Sequence, residues 1–233
     1  MEFFVISSCI CYIFFLFFLY RLGKEDFILI RKNIALEQLF NITLVATTVG
    51  LFFARLLYVL FHFNTTYFNP LKFFIIPYFP GLIFPAMIAG GYIYIWYLSQ
   101  LRRLPSGRII DFYAIAIAGA MPLLTLAQLF LSPTQLVLQL IIAGVYLITF
   151  FLFRLLLLPR ASRGEIKDGT LGLLYIGMLS TIYFLQDAFL HTKGLFSFLQ
   201  FEDIFYLATL LSIIFILYMR EFRQPKRRKA RIA

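Results

Sequence analysis

Seven long apolar runs alternate along this chain with shorter stretches rich in charge, proline or glycine. A helix rises about 1.5 Å per residue and needs about 20 residues to cross bilayer hydrocarbon. Seven runs meet that length, at 3–20, 35–62, 79–100, 109–131, 135–158, 170–190 and 202–219. The second is long enough to tilt, or to extend beyond one face of the membrane. Between 64 and 80 the chain places Pro70, Pro77 and Pro80 among aromatic residues. Such a segment cannot form a regular helix, and it is expected to lie at the interface or to re-enter briefly. No internal repeat is visible, which weakens inverted-repeat transporter readings. The pattern predicts an all-α polytopic membrane protein with seven transmembrane helices. A single membrane domain spans 1–219, followed by a basic tail at 220–233.

Composition sharpens that class. Hydrophobic residues make up 62% of the 233 positions and charged residues 14%, with a mean hydropathy of +0.89. A soluble domain carries about 25% charge and about 45–50% apolar residues. An ordinary cytosolic domain and a disordered chain are both excluded. Thirty phenylalanines and fourteen tyrosines suit a lipid-facing surface better than one compact core.

Charge then orients the spans. Lys and Arg fall in the first connection (Arg21, Lys24, Arg31, Lys32), the third (Arg102, Arg103, Arg108) and the fifth (Arg160, Arg163, Lys167). Arg154 lies just inside the span before the fifth connection. The second connection holds only Lys72, the fourth none and the sixth only Lys193. The tail holds Arg220, Arg223, Lys226, Arg227, Arg228, Lys229 and Arg231. By the positive-inside rule the N-terminus is outside and the C-terminus cytoplasmic. The net charge of +10 is therefore read as topology and attraction to anionic lipid, not as a nucleic-acid surface.

Ionisable groups inside lipid are costly and are functional candidates by default. Arg55 belongs to no connection; it lies about 10 Å below the outer end of the second span. Asp187 lies about 5 Å below the outer end of the sixth. Topology thus puts both in the outer leaflet. They could form a purely structural ion pair, or the base of a site for a lipid phosphate, whose geometry a guanidinium matches. A third reading has Arg55 snorkelling outward alone. Glu37 and Asp111 start spans and suit helix N-termini. Gln128, Gln135, Gln139 and Gln186 read as interhelical hydrogen-bonding amides. His62 and His191 read as solvated histidines at the outer interface, and Trp96 and many tyrosines as an aromatic belt. Cys9 and Cys11 are two residues apart, so they face different sides of a helix and form no expected disulfide. No metal cluster, nucleophile elbow or phosphate loop appears in the sequence, and no cofactor is implied.

Several landmarks fall in a familiar order. Ala54-Arg55-Leu56-Leu57-Tyr58-Val59 is similar to the Ala-Arg-Leu-x-Tyr-Val run of prolipoprotein diacylglyceryl transferases. Gly81-Leu82-Ile83-Phe84 with Gly90 and Gly91 resembles that family's Gly-Met-Ser-Phe-His-Gly-Gly segment. Asp111 followed by Ala114 resembles its Asp-x-x-Ala-Pro, and Pro133-Thr134-Gln135-Leu136 its Pro-Thr-Gln-Leu. Gly169, Tyr175, Phe184 and Asp187 resemble its Gly…Tyr…Arg-Phe-x-x-Glu span. The resemblance runs from about residue 50 to 190. It implies a seven-span protein of a bacterial cytoplasmic (inner) membrane. The activity implied is transfer of a diacylglyceryl group from phosphatidylglycerol to a lipobox cysteine of a lipoprotein precursor.

The departures fall on the family's working residues. Pro85 stands where the family has histidine, and Thr125 and Tyr183 where it has arginines. Gln128 replaces an asparagine, Ser132 a second histidine, and Asp187 a glutamate. The resemblance therefore leaves Arg55, Tyr58, Asp187, Gln128 and Tyr183 as headgroup-binding candidates, with Tyr12 as a weaker match in the first span. No general base can be named; an ordinary tyrosine, with a pKa of about 10, is a poor one. Three readings stay open: a divergent transferase, a non-catalytic lipid-binding or assembly protein on the same scaffold, and an unrelated seven-span transporter or sensor.

Overall fold

The computed structural model describes residues 2–32, 34–62, 81–131, 136–190 and 201–222. Among them every regular element is helical and no strand occurs. We number the helices α1 (Glu2–Lys24), α2 (Phe27–Arg31), α3 (Leu36–Phe61), α4 (Phe84–Arg102) and α5 (Ser106–Leu131). Helix α6 (Leu136–Phe151) continues through a π-helical turn (Leu152–Leu157) into Leu158–Ser162. Helix α7 is Thr170–Leu190, and α8 (Phe201–Leu217) ends in a π-helical turn at Tyr218–Phe222. Among the described residues, each of the seven apolar runs contains one long helix. The expected interfacial segment at 64–80 and most of the basic tail lie outside the described residues.

Five stretches are long and apolar enough to cross a membrane: Ile6–Lys24, Leu36–Phe61, Ser106–Ala127, Leu136–Ser162 and Asp203–Arg220. In α7 the described apolar stretch, Thr170–Gln186, is shorter. Helix α4 has the length but carries Gly90, Gly91, Ser99, Gln100 and Arg102. Membership of the membrane class is thus carried by five helices.

Helix α5 is the axis of the bundle. In its most apolar window 67% of residues are buried, against 17–39% in the other four spans. It packs against α1, α4, α6 and α7. Its sequence explains the placement: Ala114, Ala116, Ala118 and Ala120 are all buried, and small side chains let neighbouring backbones approach where lipid gives no hydrophobic drive. Helices α3 and α4 approach as closely by the same means. A Cβ added to Gly50 would lie 2.5 Å from the Met87 carbonyl oxygen, and one on Gly90 would lie 2.7 Å from Phe53 Cβ.

The sequence pattern gave no sign of α2. Asp26 precedes it and its Oδ1 accepts the Leu29 N–H at 3.0 Å, a side-chain cap on a free N-terminal donor. The other oxygen of Asp26 accepts two bonds from Arg108, from Nε at 3.0 Å and Nη2 at 2.7 Å. Both residues are buried. Arg108 Nη1 lies 3.9 Å from Asp168 Oδ1, and its guanidinium sits 5.1 Å from the Phe112 ring. The Arg220 guanidinium donates to the Asp168 carbonyl oxygen, and Lys167 Nζ donates to the Arg220 carbonyl oxygen.

One ionic node therefore joins the connections after α1, before α5 and before α7 to the end of α8. It collects the odd-numbered connections at one end of the bundle. Removing one partner of such a buried pair leaves an uncompensated charge. Arg108→Ala is expected to cost about 3–5 kcal/mol. It will appear as a clear fall in melting temperature of the detergent-solubilised protein, and an unchanged melting temperature would show that the node is not structural.

Candidate functional site

The end of the bundle away from the ionic node carries Arg55. It sits six residues before the last residue of α3, about 9 Å along the axis. The side chain is buried, with only 2% exposure. Its Nη1 donates to the Gly81 carbonyl oxygen at 3.0 Å, and its guanidinium lies 5.7 Å from the Tyr58 ring centroid. Tyr58 in turn stacks on the His62 imidazole, at 4.5 Å and 19°. The i, i+3 and i+4 spacing of a helix puts these three side chains on one face.

Gly81 makes the clasp possible. Its φ of +143° is a conformation that side chains avoid, and a Cβ there would overlap the Tyr58 ring. The chain then runs along α3, where the Ile83 N–H donates to the Ala54 carbonyl oxygen at 3.4 Å. Pro85 follows in the first turn of α4, buried, at a position where the missing N–H costs nothing. Its role there is to start a helix.

A second apolar cluster binds this corner together. Ile83, Ala86 and Tyr206 are buried, with Tyr58, Phe61 and Tyr183 packed against them. The Tyr183 ring is 6.3 Å from that of Phe84 and 5.9 Å from that of Tyr206. Arg55, Tyr58 and Tyr183 therefore share one corner of the structure.

Behind Tyr183 opens a cavity of about 60 Å³. Its polar lining comes from Thr125 of α5, Gln139 of α6, and Tyr183 and Gln186 of α7. Met121, Leu124, Ile142 and Tyr146 complete the wall. Thr125 Oγ1 turns back to its own helix, donating to the carbonyl oxygen of Pro122 at 2.9 Å or of Met121 at 3.3 Å. None of the lining residues is charged, so the wall offers hydroxyl and amide contacts rather than an ion pair.

Two candidates from the sequence, Gln128 and Asp187, have helical backbones in α5 and α7, but their side chains lie outside the described residues. Asp187 follows Gln186 of the cavity wall in the chain. Tyr12 stands elsewhere: it packs 5.8 Å from Phe15 and against the main core. Cys9 is exposed and Cys11 half-buried, its Sγ donating to the Ala120 carbonyl oxygen at 3.3 Å, so the two thiols do face different surroundings.

Asp111 has a different partner from the one its sequence position suggests. Its two oxygens accept the backbone N–H groups of Gly169 at 2.7 Å and Gly172 at 3.0 Å. It caps α7 from α5. Tyr92 and Tyr175, which no aromatic belt near the span ends would include, are buried at 8% and 0% exposure. Their positions, eight and five residues from the nearest helix end, were the available signal.

Comparison with protein-family models, curated proteins and solved structures yields no match. The site's chemistry therefore rests on its own geometry.

Gly81 and Arg55 act as one unit here. Gly81→Ala is expected to lose about 1–3 kcal/mol, because the backbone conformation is strained for any Cβ. Combined with Arg55→Ala, the double variant should lose less than the sum of the two, since the first change already breaks the clasp. Thermal unfolding of the four proteins in one detergent measures the coupling, and strict additivity would separate the two residues.

Proposed function

We propose that this chain is a seven-span protein of a bacterial inner membrane, N-terminus outside, that holds an anionic phospholipid headgroup at the Arg55 corner. Its sequence landmarks resemble those of prolipoprotein diacylglyceryl transferases, and its ligand on this reading is phosphatidylglycerol. The orientation follows from the alternation of Lys and Arg between connections. It is supported by the ionic node, which joins Asp26, Arg108, Asp168 and Arg220 at a common end.

The observation that carries the binding reading is the buried Arg55 guanidinium, beside Tyr58 in a corner whose Tyr183 also lines an uncharged polar cavity. A guanidinium at membrane depth is expensive, and phosphate recognition is a use that repays it. Holding is favoured over transfer by the residues at the three substituted positions. Pro85 carries no proton, Thr125 bonds to its own helix, and Tyr183 is packed among aromatic rings. None of the three supplies a base for a thiol or a cation for a leaving phosphate.

One observation favours retained transfer as a second reading. His62 stacks on Tyr58, which lies against Arg55, so one aromatic ring separates an imidazole from the guanidinium. An imidazole is a side chain of the kind that takes a proton from a thiol in general-base catalysis.

The two readings separate in one preparation. Purified protein should retain phosphatidylglycerol saturably through detergent exchange. Arg55→Ala should weaken that retention, and Arg55→Lys should restore it only in part, because lysine lacks the planar fork. Equal retention by all three proteins would sink the binding reading. Incubation with phosphatidylglycerol and a lipobox peptide should leave the peptide mass unchanged. A diacylglyceryl mass gain that His62→Gln abolishes would establish transfer instead.

A further inference from the structure

Three helices set polar side chains around the cavity at helical spacing. On α6 these are Gln139 and Tyr146, with Ile142 between them on the same face. On α7 they are Tyr183 and Gln186, three positions apart. Helix α5 adds Thr125, beside Leu124 and four positions after Met121. Tyr183 also packs into the apolar cluster of the Arg55 corner, so the cavity lies toward that end of the bundle.

Two of these polar side chains are deeply buried and unanswered. Gln139 is 4% exposed and Tyr146 is 1% exposed. Both line the cavity, and neither the Gln139 amide nor the Tyr146 hydroxyl makes a hydrogen bond among the described residues. Thr125 differs, because its hydroxyl donates to its own helix and keeps only lone pairs for a ligand. A buried amide that pairs with nothing is costly, and lipid around the bundle offers no substitute. A molecule in the cavity that pairs with both groups removes that cost.

The wall states what that molecule is. An amide brings N–H donors and a carbonyl acceptor, and a phenol can donate and accept. The occupant must therefore do both, as a hydroxyl group does. Met121, Leu124 and Ile142 supply apolar wall for its carbon atoms. No lining residue is charged, so an ion would lose its hydration with no countercharge to replace it. A single water needs about 10–15 Å³, so a cavity of about 60 Å³ takes about four waters, or one molecule of about glycerol size.

We propose that this cavity is a binding site for a small uncharged polyol of glycerol size, with Gln139 and Tyr146 as its principal hydrogen-bonding partners. Two sources share that chemistry: a free solute, and the neutral glycerol end of a lipid headgroup seated at the Arg55 corner. The free-solute form stands without the Arg55 reading, and the headgroup form rests on it.

The test uses the full chain in phosphatidylcholine nanodiscs, with glycerol as the probe and saturation-transfer NMR as the readout. Glycerol should give a saturable signal, and glycerol 3-phosphate none. Gln139→Leu keeps the bulk of the side chain and removes its donors and acceptor, so it should weaken glycerol binding by about tenfold. Tyr146→Phe removes one hydroxyl and should weaken it by about threefold or more. Both variants should melt at or above the wild-type temperature, since each loses an unanswered polar group; a loss of binding is then not a loss of fold. Nanodiscs containing phosphatidylglycerol separate the sources. If the headgroup is the occupant, phosphatidylglycerol displaces glycerol where phosphatidylethanolamine does not, and Gln139→Leu weakens its retention. Arg55→Ala should abolish that displacement and leave the binding of free glycerol intact, so the two proposals fail separately. Glycerol binding that is absent or unchanged in both variants, together with phosphatidylglycerol retention unchanged in Gln139→Leu, would leave water as the only occupant and overturn the site. Equal binding of glycerol 3-phosphate would overturn it as well.

Discussion

The structure depends on a carboxylate that serves a helix other than its own. Asp111 stands on α5, yet its two oxygens bind the Gly169 and Gly172 N–H groups that open α7. Every helix begins with donors that its own backbone cannot satisfy, and near lipid water is a poor substitute. Meeting that need from across the bundle fixes α7 against α5 in height and rotation at once. Two glycines make the approach possible: a Cβ on Gly107 or Gly172 would overlap Asp168 or Ile110. Arg108, one turn before Asp111, then ties the same region to Asp26 and Asp168. The charged end of the bundle is thus held by a cluster of directed bonds, whereas the far end has the Arg55–Gly81 bond set in apolar packing.

That division explains what could be read from the chain. The long helices were legible because lipid imposes a length and an apolarity that a sequence states openly. The predicted run at 109–131 differs from α5, Ser106–Leu131, only at its start. The roles of polar residues were less legible, because they depend on partners far away in the chain. Asp111 carries the sequence signature of a cap for its own helix. Arg108 counts as a loop charge for topology, yet it is 3% exposed and paired with a residue 82 positions earlier. Asp26 stands among basic neighbours in the sequence, yet its side chain caps a short helix by accepting the Leu29 N–H.

The corner around Arg55 shows the same limit from the other side. Its depth and its closeness to Tyr58 follow from helical spacing. The Gly81 carbonyl that receives it follows from the left-handed turn that ends the connection, which no periodicity reveals. The cavity is assembled from three helices, and only Tyr183, Thr125, Gln139 and Gln186 among its walls carried a sequence signal. Their convergence is a property of the packing. Gathering amides and hydroxyls around one cavity keeps them from facing lipid.

The cap on α7 also bears on how the protein is made. The described apolar stretch of α7 is shorter than the five spans that qualify by length, and its first donors are met by a residue synthesised 58 positions earlier. Translation delivers α5 before α7, so the acceptor already stands in the bilayer when the needy segment leaves the ribosome. The order of synthesis and the order of dependence coincide. A rearranged gene placing the last two helices first would ask the least self-sufficient segment to enter the membrane before its support exists.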